Sequence, residues 1–349
     1  MTVAPAIPEP DHAQLVAAYG ASQRRAVLAA ERQAARWWAA LDTGDLSGSY
    51  LRRVGPALVR LLTAAQLLAA GPAQTYVDAM VRADGLASQY DPGASRVSAR
   101  ALTGVAADGR PLDSLLYTPI VRTKTLLGAG VTLPEAMAAG RMSLQRIMAS
   151  EVADAGSGAF GVAVAANRTT TGYIRQVRAG ACSRCAILAG RWYRWNADFA
   201  RHKRCQCYGV PSTSARRGRT TDPMSFFHGL SRAEQDRRFT VGGARAIRDG
   251  ADIYQVVNAS RSVTTLDAYG QKVVATLEGT TRRGSFYRQM LRETEQRTGT
   301  AFARDAYDLE RGLPRFNLRT PRLMPGEIYR LAESRDDVIR LLRRFGYLT

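Results

Sequence analysis

Lysine is almost missing from this chain. Of its 49 lysines and arginines only Lys124, Lys203 and Lys272 are lysines. Histidine is scarce too, with three in 349 residues, and there are four cysteines. Four cysteines are too few for a disulfide scaffold in a chain this long, so a reducing compartment is expected. No run of about 18 or more uncharged apolar residues occurs, so the sequence proposes no transmembrane helix. The opening Met1-Thr-Val-Ala-Pro-Ala-Ile-Pro-Glu-Pro10 lacks the basic start and apolar stretch of a signal peptide. It reads as an extended, proline-stiffened lead-in.

Acidic residues are outnumbered, 30 against 49, which leaves a formal net charge of +19 and a pI near 10.5. Arginine in excess alongside alanine and glycine is what GC-rich coding favours, but the electrostatics do not depend on its origin. A chain this basic associates with polyanions, nucleic acid first among them, in a salt-dependent way. The clusters Arg24-Arg25, Arg52-Arg53, Arg216–Arg219, Arg282-Arg283 and Arg343-Arg344 are each a solvated face; together they make a basic surface. The length exceeds what one hydrophobic core usually serves, so two or three compact units are expected.

The cysteines are not scattered. All four fall within residues 182–207, as Cys182-Ser-Arg-Cys185 and His202-Lys-Arg-Cys205-Gln-Cys207. Paired hooks on either side of a loop are how a chain brings thiolates to the corners of a tetrahedral zinc site. Cys182, Cys185, His202, Cys205 and Cys207 are five candidates for four places, and spacing does not choose among them. Four thiolates would close the shell and leave no position for water, which favours a structural Zn2+ over a catalytic one. Arg184, Arg191, Arg194, Arg201, Lys203 and Arg204 surround the hooks and would favour the thiolate forms. His202 could serve on paper as a base for a cysteine nucleophile, but a nucleophile has no need of three companion thiols.

The pattern of elements predicts an α+β chain, mostly α-helical: a helical N-terminal bundle, a small zinc-stapled β unit in the middle, and an α-rich C-terminal region with a β-hairpin. Helices are expected over about 11–41, capped by Asp11, then 50–70, 73–86 and 112–127. Leu133-Pro-Glu135 opens another, amphipathic over 143–155 and loosened by Gly156-Ser-Gly-Ala-Phe-Gly161. Strands are expected at 173–178, 191–195 and 205–211, a sheet with too little apolar core to hold itself without metal. A basic linker leads to the capping box Ser231-Arg-Ala-Glu234, a hairpin turning at Ala268-Tyr-Gly-Gln271, and closing helices at 285–297, 325–332 and 335–345.

Other constellations carry less. Ser212-Thr-Ser214 with Glu293-Thr-Glu295 imitates an ADP-ribosyltransferase signature, but the glutamates read as a solvated helix face. His12 and His228 are read as ordinary residues. Arg191-Trp-Tyr-Arg-Trp195 interleaves aromatics with arginines, and packing over the zinc loop is the preferred reading of its rings.

The order Cys-x-x-Cys, Ala186-Ile-Leu-Ala-Gly190, strand, His-x-x-Cys-x-Cys and Val210-Pro211 resembles the phage Mu F-like head morphogenesis proteins, minor capsid proteins of tailed bacteriophages. The resemblance spans about Ile147 to Pro211. Leu230-Ser-Arg-Ala-Glu-Gln-Asp236, Gly243-Ala-Arg-Ala-Ile-Arg-Asp-Gly-Ala-Asp252, Val256-Val-Asn258 and Leu341-Leu-Arg-Arg-Phe-Gly-Tyr347 look like actinobacteriophage members. Where the family commonly has His-Pro-x-Cys-Arg-Cys, this chain has His202-Lys-Arg-Cys-Gln-Cys207. The resemblance implies a non-enzymatic virion protein in the phage head, present in the host cytoplasm during assembly. Its partners would be portal protein, major capsid protein and double-stranded DNA, with no membrane and no small-molecule substrate. The expected division is a helical region at 1–130, a Mu F-like core with its zinc knuckle at 131–211, a basic linker at 212–224 and a helical region at 225–349. The rival reading is a zinc-ribbon nucleic-acid-binding protein.

Overall fold

The computed structural model describes residues 11–93, 96–178, 180–199, 201–202, 205, 207–215, 222–318 and 320–348. The N-terminal lead-in, Lys203, Arg204 and the Arg216–Arg219 cluster lie outside the described residues. The chain forms two compact units: residues 1–181 with 190–220, and residues 182–189 with 221–349. It is mostly helical, and among the described residues two three-stranded sheets make it α+β.

The first unit is a helical bundle with a sheet. Its helices are α1 (His12–Ala39), α2 (Leu46–Ser49), α3 (Gly55–Ala70), α4 (Ala73–Ala83), α5 (Leu112–Gly128) and α6 (Leu133–Ala166). A π-helical turn over Tyr50–Val54 carries α2 into α3. On α1 the buried Ala26, Ala30, Ala34 and Trp38 recur every four residues, a stripe that faces α3 and α6. On α6 the matching stripe is Ala136, Gly140, Leu144, Met148 and Val152. Small residues bring the backbones close. A Cβ on Gly140 would overlap the Thr123 hydroxyl and the Trp38 ring, whose Nε1 donates to the Met137 carbonyl at 3.1 Å.

Two expectations fail here. The helix does not loosen at Gly156–Gly161: α6 runs unbroken through them, because Gly156 lies against Gln23 and Ala69 and the interhelical contact outweighs the low helix propensity of glycine. Asp11 stands at the N-cap of α1 but makes no side-chain capping bond. In addition, the helical run Leu46–Ala83 is long and apolar enough to cross a membrane by length and composition. Half of its most apolar window is buried, with Val54, Leu58, Leu62 and Ala69 inside the bundle.

The sheet of this unit has β1 (Thr170–Gln176) between β2 (Trp192–Arg194) and β3 (Tyr208–Thr213), all antiparallel. The third strand begins at Tyr208, so Cys205 and Cys207 precede it rather than lie in it. The sheet is not short of core. Tyr19 stacks on Tyr76 with ring centroids 4.0 Å apart, Phe160 of α6 meets Tyr173 edge-on at 5.5 Å, and Tyr173 stacks on Tyr193 at 5.5 Å. Gly209 leaves the space that the Phe160 ring fills, and the Tyr208 hydroxyl donates to the Val16 carbonyl at 3.2 Å. These rings dock the sheet on α1, α4 and α6, so the expectation that it has too little apolar core is corrected.

The second unit comprises α7 (Ser183–Ala186), α8 (Pro223–His228), α9 (Arg232–Phe239), α10 (Val241–Arg248), α11 (Ile253–Ala259), α12 (Ser285–Thr298), α13 (Ala306–Glu310), α14 (Pro325–Leu331) and α15 (Arg335–Arg344). Strands β4 (Val263–Ala268), β5 (Gln271–Thr276) and β6 (Arg322–Leu323) pair antiparallel in that order. The expected capping box forms, with Ser231 and Glu234 exchanging bonds. The hairpin turns at Tyr269-Gly270, both at positive φ. Arg322 is buried and donates to the carbonyls of Phe345, Glu278 and Gly346 and to Gln255 Oε1. Burial lowers its pKa, and the Tyr347 ring lies 4.5 Å from its guanidinium carbon.

The glycines of α6 give a paired test. Gly140→Ala is expected to destabilise the protein by about 1–3 kcal/mol through overpacking. Gly161→Ala, where a Cβ meets open space, should stabilise by about 0.5–1 kcal/mol. Urea or thermal melts of the two variants decide it; equal shifts would mean that Gly140 is not a packing residue.

Candidate metal centre

The first hook begins where β1 ends. Arg175 N–H donates to the Arg191 carbonyl and the Gly190 N–H to the Arg175 carbonyl, so the chain leaves and returns at one point of the sheet. Between them Cys182 precedes α7 and Cys185 lies in it, with the Ala186 N–H bonded to the Cys182 carbonyl. Cys185 is buried and Cys182 exposed. The second hook is a turn in which the Cys205 N–H donates to the His202 carbonyl at 3.0 Å. Cys205 and Cys207 are buried and His202 is exposed.

Two overlapping groups of ligand atoms result. In one, Cys182, Cys185 and His202 lie with their ligand atoms within 4.8 Å of one another; in the other, Cys185, Cys205 and Cys207 do. Each group could hold a metal ion. A tetrahedral shell with zinc–sulfur bonds of about 2.3 Å sets sulfurs about 3.8 Å apart, a spacing that falls within the 4.8 Å limit of the second group. Among the described residues no disulfide joins the four cysteines.

Of the described arginines expected around the hooks, Arg201 is the one that reaches this stretch, and Arg175 joins it from β1. Arg184, Arg191 and Arg194 are exposed. Arg175 is only 2% exposed, with Nη2 3.8 Å from Cys205 Sγ and its guanidinium 4.3 Å over the Phe199 ring. Strand alternation marked Arg175 as facing one side of the sheet, but nothing in sequence said that the side was interior. Arg201 does the mechanical work. It donates to the Cys207 and Cys205 carbonyls at 2.9 and 2.7 Å and to Ser157 Oγ at 2.7 Å, and its Nε lies 2.9 Å from Asp154 Oδ1. One guanidinium thus ties the second hook to α6. Burial pushes the Asp154 carboxyl above its usual range, against the pull of Arg201. Burial likewise lowers the pKa of Arg178, which donates to the Gly20 carbonyl.

The remaining candidates separate from this centre. Glu295 accepts from Arg304 at 2.6 Å and from the Phe302 N–H at 3.1 Å, and Glu293 from Gln289 at 3.0 Å. Both carboxylates brace their own surroundings. Ser212 and Thr213 are buried in β3. His228 lies edge-on to Phe227. His12 has acidic company: its Nε2 is 2.6 Å from Asp84 Oδ1, while Thr213 Oγ1 donates to Asp84 Oδ2 at 2.7 Å. That contact spans 72 residues of sequence, too far for local reading to find.

Replacing Arg201 tests this account. Arg201→Ala should cost on the order of 2–3 kcal/mol, from charge-assisted hydrogen bonds lost together with partners left buried. It should also speed the reaction of Cys205 and Cys207 with a thiol reagent in metal-free protein. Unchanged reactivity would show that the second hook is held by something else.

No curated protein and no solved structure gives a match. A family model does: the VG15 protein model matches residues 11–233, from the first residue before α1 to the start of α9. That span takes in the whole bundle, the first sheet and both cysteine hooks. The match covers well over half of the chain, and the chain belongs to the VG15 protein family, a family of phage proteins.

Proposed function

We propose that this chain is a structural, non-enzymatic protein of a tailed-phage head. In this reading it is a minor capsid protein that acts in head morphogenesis at the portal-proximal interior. It would contact portal protein, major capsid protein and packaged double-stranded DNA, and pass through the host cytoplasm during assembly. Family membership over residues 11–233 is the observation that carries the reading. The net charge of +19 supports the DNA contact, since a polyanion exchanges its counterions for arginines at a gain that falls with salt. The same charge favours the rival, a zinc-ribbon protein binding host or phage DNA outside the particle.

The metal of this reading is Zn2+, held by four of Cys182, Cys185, Cys205, Cys207 and His202. Sulfur-rich donor sets select zinc among abundant divalent ions. Bound there, zinc would supply a cross-link and no reactive water. The chain's own part is to hold three thiols out of solvent and to set Arg175 beside Cys205, whose positive charge offsets that of the thiolates.

Quantitative mass spectrometry of gradient-purified heads and proheads tests the location. A few copies per particle are expected; absence from both, with the protein present in the lysate, overturns the reading and leaves the rival. For the metal, one zinc per chain is expected, lost in Cys185→Ser and in Cys205→Ser. Chelation should lower the melting temperature and expose thiols while leaving the aromatic docking of the first sheet in place. A chelated protein with unchanged melting and unchanged thiol reactivity would falsify the zinc assignment.

A further inference from the structure

The free edge of the first sheet presents aromatic surface to solvent. Strand β2 is an outer strand, and Trp192 and Trp195 on it and just beyond it are 44% and 43% exposed. They are not packed as the sequence suggested. Alternation along the strand puts Trp192 and Arg194 on one face and Tyr193 on the other, while Trp195 follows the end of the strand. Tyr193 is committed to its stack on Tyr173, but neither indole joins a ring pair among the described residues. Gly172, paired with Arg194, makes room for the Trp192 ring: a Cβ there would come within 2.8 Å of it. The indole therefore lies down on the sheet and turns its outer face to water. Arg191 and Arg194 are exposed on either side, and Asp198 is the one exposed carboxylate among residues 190–199.

We propose that this edge binds single-stranded nucleic acid, with Trp192 and Trp195 stacking on unpaired bases and Arg191 and Arg194 holding the flanking phosphates. The proposal rests on the nucleic-acid contact proposed above and adds to it a separate, single-stranded mode. Arginines alone would serve a duplex, whereas an exposed indole face finds no partner in bases that are already stacked. Aromatic platforms beside a basic track are the chemistry that holds single strands without regard to sequence. The surplus positive charge of the chain favours such a partner over a basic or neutral peptide.

The test compares an oligothymidylate with a duplex of equal length, titrated into the full chain at several salt concentrations and followed by tryptophan fluorescence and anisotropy. Of the four tryptophans, Trp37 and Trp38 belong to α1, with Trp38 buried, so quenching reports chiefly on the edge pair. The single strand should bind with quenching. Trp192→Ala with Trp195→Ala should weaken it about tenfold or more, since stacking contributes roughly a factor of ten per base, and leave duplex binding alone. The double Phe variant should retain most of the affinity. Arg191→Ser with Arg194→Ser should weaken both nucleic acids and lower the salt slope by about two. Unchanged single-strand affinity in the double Ala variant overturns the platform, as does equal quenching by duplex. Failure to bind either nucleic acid at low salt overturns the DNA contact itself.

Discussion

The first unit depends on how closely helices can approach α6. A 34-residue helix offers a long seam, but the seam works only because alanine and glycine recur on it where α1, α3 and α5 cross. Glycine inside a helix ordinarily loosens it by about 1 kcal/mol relative to alanine. At Gly140 that loss is outweighed because a tryptophan ring and a buried threonine occupy the space a side chain would need. The continuity of α6 in turn sets Asp154, Ser157 and Phe160 in register, and those three receive Arg201 and the aromatic rings of the sheet.

The cysteine stretch inherits its order from this scaffold. Three of its thiols are buried, and Cys205 lies beside the nearly inaccessible guanidinium of Arg175, whose charge would offset that of a thiolate. The second hook is held through backbone carbonyls by Arg201, a contact indifferent to which thiol is ionised. The scaffold can thus keep the cysteine carbonyls in place whatever the sulfurs bind.

Much of the fold was legible in the sequence because its signals are local. The capping box at Ser231, the hairpin at Tyr269-Gly270 and the bundle helices follow from neighbouring residues. What escaped is non-local. The loosening expected at Gly156 ignored partners 87 and 133 residues away in Ala69 and Gln23. The short α7 and α8, the π-turn and β6 carry too few residues for a period to show. At the candidate metal centre the five ligand residues and the neighbouring Arg201 could be named from spacing alone, yet Arg175 on β1 could not. Arg175 looks like any other of the chain's many arginines until burial singles it out.

Arg322 carries a consequence for the order in which the chain takes shape during synthesis. Two of its carbonyl partners, Phe345 and Gly346, are made after every strand and helix of the second unit, and its own strand completes the second sheet. A buried cation whose acceptors have not yet emerged has nothing to offset its dehydration. The second unit therefore lacks two of the acceptors of Arg322 until Phe345 and Gly346 are free of the ribosome. The bundle, by contrast, has all six of its helices once Ala166 has emerged. Nascent chains would pass through a stage with the bundle formed and the second unit open, when its apolar strands are exposed to chaperones and to other copies.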